Sequence, residues 1–126
     1  MSILADDLIK LMKDQKIFLF YGEMGSGKTT LIGELCKKIG ITHHSSPTYA
    51  IINNYLSPIF GEIYHVDCYR FKKESEAINC GLLELIDEKE YCFIEWPEKI
   101  QNLLHDNYVK INLKVQNNIR EITLTL

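Results

Sequence analysis

The chain has 126 residues, 46% hydrophobic and 25% charged, with a net charge of −3. That balance is ordinary for a globular protein and lets roughly two-thirds of the unfolded surface be buried. The acidic excess argues against autonomous tight binding to nucleic acid, which needs a basic face to displace counterions.

Taken in chain order, residues 2–13 place Ile3, Leu4, Leu8, Ile9, Leu11 and Met12 among Asp6, Asp7 and Lys10, which predicts a short amphipathic helix. Residues 17–20 are continuously apolar, as expected of a strand buried on both faces of a parallel sheet. Residues 22–29 satisfy G-x-x-x-x-G-K-[ST] through Gly22, Gly27, Lys28 and Thr29, and a helix-like stretch over 30–39 follows, ended by Gly40. After a polar loop at 43–47, residues 48–55 read as a strand, 57–61 as a hairpin turn and 62–67 as the return strand. Residues 75–86 carry a helical apolar stripe interrupted by Gly81. A second apolar strand, 91–94, ends in Glu95-Trp96-Pro97, and Pro97 opens a short helix to about Leu104. A hairpin closes the chain, with strands over 108–115 and 120–126.

The expected fold is α/β: a phosphate-loop NTPase-like, mostly parallel central sheet flanked by helices, with antiparallel hairpin additions, in a single domain over residues 1–126. There is no charged-then-apolar leader and no membrane-length apolar run, so a cytoplasmic location is expected. Cys36, Cys68, Cys80 and Cys92 are dispersed without a C-x-x-C pair and read as small hydrophobes. Neither they nor His43 and His44 have zinc-ligand spacing.

Strand, glycine loop and helix in succession are the context that gives the loop pattern physical content. A polyanion needs many converging N–H donors, and Met24, Gly25, Ser26, Gly27 and Thr30 lie where the backbone would wrap the phosphates of ATP. Lys28 supplies a full charge to the outer phosphates, and the Thr29 hydroxyl can coordinate Mg2+. Ligands of open α/β sheets lie beyond the carboxyl ends of the strands, so Glu95 and Asp67, each closing a strand, are the candidate catalytic acids. Glu95 either stands where the acid beside the metal of a phosphate-loop enzyme usually stands or is an exposed strand-end carboxylate. Asp67 either holds the metal's water shell, orients the attacking water, pairs with Arg70 or caps a turn. Thr48 in Ser46-Pro47-Thr48 is either placed as a switch residue would be, to contact the terminal phosphate or its magnesium, or belongs to a plain Ser-Pro turn. Trp96, the only tryptophan, either lines the site or anchors the core. No N-K-x-D segment selects guanine. With only Arg70 and Arg120, there is also no arginine-rich lid of the kind small-molecule kinases use.

Four segments together resemble one family: residues 22–30, Ser46-Pro-Thr-Tyr49, His65-Val-Asp-Cys-Tyr-Arg70 and Glu95-Trp-Pro-Glu98. Their order and spacing look like the TsaE (YjeE) family, the bacterial ATPase of threonylcarbamoyladenosine tRNA modification. The resemblance implies a slow, magnesium-dependent ATPase that supports turnover of TsaD and TsaB and meets tRNA only through that complex. It implies that Lys28 and Thr29 hold phosphate and magnesium, that Glu95 is the metal-side acid, that Asp67 assists hydrolysis and that Thr48 lies in the switch loop. Arg120 falls near the family's Gly-Arg beside the nucleotide, with Ile119 in place of the glycine. Family members often begin with a short strand, whereas this chain opens almost directly in the helix. A nucleotide-controlled scaffold and a small-molecule kinase are the alternative readings.

Overall fold

A computed structural model describes residues 2–23, 27–41, 52–104, 108–116 and 119–125. Its elements are α1 (Ser2–Leu11), β1 (Ile17–Tyr21), α2 (Lys28–Lys38), β2 (Ile52–Ser57) and β3 (Gly61–Asp67). They continue with α3 (Glu74–Asn79), α4 (Leu82–Asp87), β4 (Tyr91–Glu95), a 3-10 helix (Pro97–Leu103), β5 (Val109–Gln116) and β6 (Ile119–Thr125). Among the described residues the strands form one six-stranded sheet in the order β2-β3-β4-β1-β5-β6. The β3–β4, β4–β1 and β1–β5 pairs are parallel, and an antiparallel hairpin finishes each edge. This is the expected α/β architecture.

The two apolar runs are central strands because each feeds two cores. Phe18 and Phe20 of β1, with Tyr91 and Phe93 of β4, face Leu8 of α1, Met12 just beyond it, and Leu31, Ile32 and Leu35 of α2. Their chain neighbours Ile17, Leu19, Cys92 and Ile94 face Ala77 of α3, Leu82 and Ile86 of α4, and Ile100. Alternate side chains on both sides of a strand leave no polar position, hence the unbroken hydrophobicity. Phe18 and Phe20 meet Phe93 edge-on, with centroids 5.8 and 6.0 Å apart. The buried Tyr91 hydroxyl donates to the Met12 carbonyl at 2.6 Å, tying the end of α1 to the sheet.

Several element boundaries differ from the sequence reading. Helix α2 starts at Lys28, ahead of Thr30, so Lys28 and Thr29 occupy its first turn. The expected helix over 75–86 is two six-residue helices divided at Cys80 and Gly81. The β2 strand runs on to Ser57, leaving Pro58, Ile59 and Phe60 as the turn. Ser57 is buried and closes this corner: Oγ donates to the Ile39 carbonyl at 2.6 Å and accepts the N–H groups of Ile59 and Phe60, each at 3.1 Å. Residues 48–51 of the expected strand lie outside the described set.

Candidate nucleotide-binding site

Three strands deliver their carboxyl ends to one rung. Asp67 of β3 is in register with Glu95 of β4, and Glu95 with Phe20 of β1. Parallel strands in register put aligned residues on the same face, so both acids share the side of the sheet that α2 covers. Beyond β1 the chain passes Gly22 and returns at Gly27, whose φ of 101° is a left-handed conformation that glycine adopts without a Cβ clash. Gly27 thus leads directly into α2, whose first-turn N–H groups have no acceptor within the helix and whose Thr29 side chain reaches Glu95.

The side chains converge on Glu95, which is only 4% exposed. The Thr29 hydroxyl donates to its Oε1 at 3.2 Å. His65 Nε2 meets its Oε2 at 2.6 Å, and the Tyr55 hydroxyl meets His65 Nδ1 at 3.1 Å. Lys28 is also buried, at 5% exposure. Its Nζ donates to the Gly22 carbonyl and sits 3.4 Å from the centroid of the Trp96 ring. Burial lowers the Lys28 pKa below its ordinary value, while the negative charges of Glu95, Glu98 and Asp67 act in the opposite sense.

Asp67 is exposed, and its Oδ1 accepts the Tyr69 N–H at 3.0 Å. That is the turn-capping arrangement; among the described residues no ion pair joins it to Arg70. Trp96 has left-handed backbone angles, φ 55° and ψ 49°, unusual for a bulky residue. Its ring packs partly on the second core and partly under Lys28 and beside Tyr69, 4.9 Å between ring centroids, so it both anchors and lines. Thr30 is exposed on the first turn of α2. Arg120 lies on β6 opposite Val115, at the sheet's carboxyl-end rim but two strands from β1. Met24, Gly25, Ser26 and Thr48 lie outside the described residues.

Sequence reasoning placed Lys28, Thr29, Glu95 and Asp67 together, and the fold brings them together. It assigned no part to His65, Tyr55 or Glu98. The available signal was alternation: His65 is two residues before Asp67 on one strand, hence on its face.

The donor set suits magnesium. A threonine hydroxyl and one carboxylate are hard oxygen donors, and magnesium bound with phosphates typically takes few protein ligands. Among the described residues no three His, Cys, Asp or Glu side chains gather to cage a metal unaided. No helix among them is long and apolar enough to cross a membrane.

Residues 1–122 match the family described as threonylcarbamoyl adenosine biosynthesis protein TsaE. The chain is 33% identical to the tRNA threonylcarbamoyladenosine biosynthesis protein TsaE of Haemophilus influenzae over 123 residues, covering 95% of this chain and 77% of the relative. The protein of the same name from Borreliella burgdorferi is 36% identical over 86% of this chain and 80% of its own. That from Bacillus subtilis is 34% identical over 90% and 71% respectively. Among solved structures, Bacillus subtilis YdiB superposes with a TM-score of 0.66 at 24% identity, covering 98% of this chain and 79% of the other, a likeness of fold.

Proposed function

The chain belongs to the TsaE family, and from that membership we propose that it binds ATP with magnesium and hydrolyses it slowly in tRNA threonylcarbamoyladenosine biosynthesis. The observation that carries the reading is the buried Glu95 carboxylate held on Thr29, in the first turn of the helix that follows the glycine loop.

The residues divide the work by position. First-turn amides of α2 receive phosphate oxygens, and Lys28 exchanges the Gly22 carbonyl and the Trp96 face for the outer phosphates. Thr29 and Glu95 would hold magnesium, which supplies charge neutralisation for the departing ADP. In hydrolysis a water oxygen bonds to the terminal phosphorus as the bridging P–O bond breaks and ADP leaves. Asp67 orients that water and takes its proton through Oδ2, Oδ1 being bonded to the Tyr69 N–H. Arg70 is exposed and Arg120 is two strands away, so neither completes the charge stabilisation alone. Turnover would then rise when TsaD and TsaB set the switch segment containing Thr48.

Calorimetry with ATP and magnesium tests the binding step. Lys28→Ala should weaken ATP roughly 10- to 100-fold, the loss of a charge-assisted contact. Asp67→Asn should lower kcat about 100-fold with binding little changed. No heat on adding ATP and magnesium to folded protein would end the reading, and a rate indifferent to TsaD and TsaB would remove the partnership.

A second use of the same site has its own support. Lys28 rests on two groups that phosphate would displace it from, so occupancy would alter the Trp96–Tyr69 surface. ATP would then control docking, with hydrolysis as the reset. Equal partner affinity with ATP, with ADP and without nucleotide would eliminate that role.

A further inference from the structure

Glu95 is held by more than Thr29. Its side chain is 6% exposed, and the group on its second oxygen is a histidine that is itself 12% exposed. A buried carboxylate must have partners or lose its charge. Neither of the two side chains bonded to it here is a lysine or an arginine.

The contact follows from register. Ile63, His65 and Asp67 lie opposite Tyr91, Phe93 and Glu95 in the β3–β4 pair, all on one face. His65 therefore stands one step below the rung of the two acids, and its ring reaches diagonally to Glu95. On its other side Tyr55, paired with Ile63 across the hairpin, presents its hydroxyl to Nδ1. With hydrogen on Nε2 the ring donates to Oε2, while the Tyr55 hydroxyl bonded at Nδ1 fixes the plane of the imidazole.

We propose that His65 is a positioning residue for the metal-side carboxylate. Tyr55 orients the imidazole, the imidazole pins Oε2 of Glu95, and Oε1 is thereby kept on the Thr29 hydroxyl where magnesium would be received. This rests on the reading of Glu95 and Thr29 as the metal-side pair.

The experiment measures ATP affinity at increasing magnesium and in EDTA, by calorimetry and by the fluorescence of Trp96, the only tryptophan. In His65→Leu the magnesium needed for half-saturation should rise about 10-fold or more, the usual effect of removing a group that orients a metal ligand. Affinity in EDTA should change less than about twofold, because the phosphate contacts are untouched. His65→Gln, whose amide nitrogen reaches the place of Nε2, should recover most of the loss. His65→Asn, which reaches only the place of Nδ1, should not. Should the leucine variant fail to fold, Tyr55→Phe removes one oxygen and should still raise the magnesium requirement.

If Thr29→Ala and Glu95→Gln shift the magnesium requirement while the His65 and Tyr55 variants merely melt earlier, His65 is structural and the proposal is overturned. If Thr29→Ala and Glu95→Gln also leave it unmoved, the metal-side reading has failed, and the positioning role with it.

Discussion

At the scale of single residues, the best-connected polar groups outside the site are those that close corners of the fold. Ser57 is 2% exposed and serves three backbone groups at once. Replacing it with alanine leaves the Ile39 carbonyl and two turn N–H groups to find other partners. The expected loss is about 2 to 3 kcal/mol in urea unfolding, since unsatisfied buried groups cost more than the bonds they replace. A loss near zero would mean that water reaches this corner. The site residues obey a different rule. Lys28 and Trp96 are held in arrangements that stability alone does not favour: a desolvated ammonium and a left-handed tryptophan. Such local costs gather where a ligand is received.

At the scale of elements, α2 and the turn that follows it carry a pair of glycines with opposite expectations. Gly33 has nothing within 4 Å of an added Cβ and lies exposed within the helix, so Gly33→Ala should stabilise by about 0.5 to 1 kcal/mol. Gly40 has φ +86°, and a Cβ there would lie 2.8 Å from Pro58 Cγ, a ring that cannot swing aside. Gly40→Ala should cost about 1 to 3 kcal/mol, read as an opposite shift of the urea midpoint. Elements were also where the sequence was most legible. The β1 and β4 runs showed their double burial directly, and Gly22, Gly27, Lys28 and Thr29 marked the loop between strand and helix. The break at Gly81 was visible, but the separation into α3 and α4 was not, because the apolar stripe continues across it. The link from His65 to Glu95 was hidden for a different reason. It joins positions 30 residues apart on strands whose adjacency is a property of sheet order, and no local pattern encodes that order.

For the whole molecule, thiols buried in both cores couple stability to alkaline pH. Cys36 is on the buried face of α2, whereas Cys68 and Cys92 lie in the opposite core. Burial pushes all three from 9.0 up to about 12, with nearby negative charge adding to the shift for Cys68 and Cys92. The folded chain keeps these protons where the unfolded chain has released them. Their contribution is therefore complete below pH 9 and declines as pH rises from 9 towards 12, by up to about 1.4 kcal/mol per pH unit for each thiol. Urea midpoints should fall steadily across that window; a flat profile would contradict the burial. A thiol reagent should modify the exposed Cys80 in the native protein well before the other three.

The shared rung of Asp67, Glu95 and Phe20 also ranks possible genetic lesions. Removing Glu95's charge by substitution spares the backbone ladder, but deleting one residue within Tyr91–Glu95 inverts the facing of the remainder. The carboxylate would then be driven among Ile94's apolar neighbours, and Phe93 would be lost from the layer beneath α2. In-frame deletions inside β4 should therefore abolish expression of soluble protein, whereas Glu95→Gln should leave a folded one.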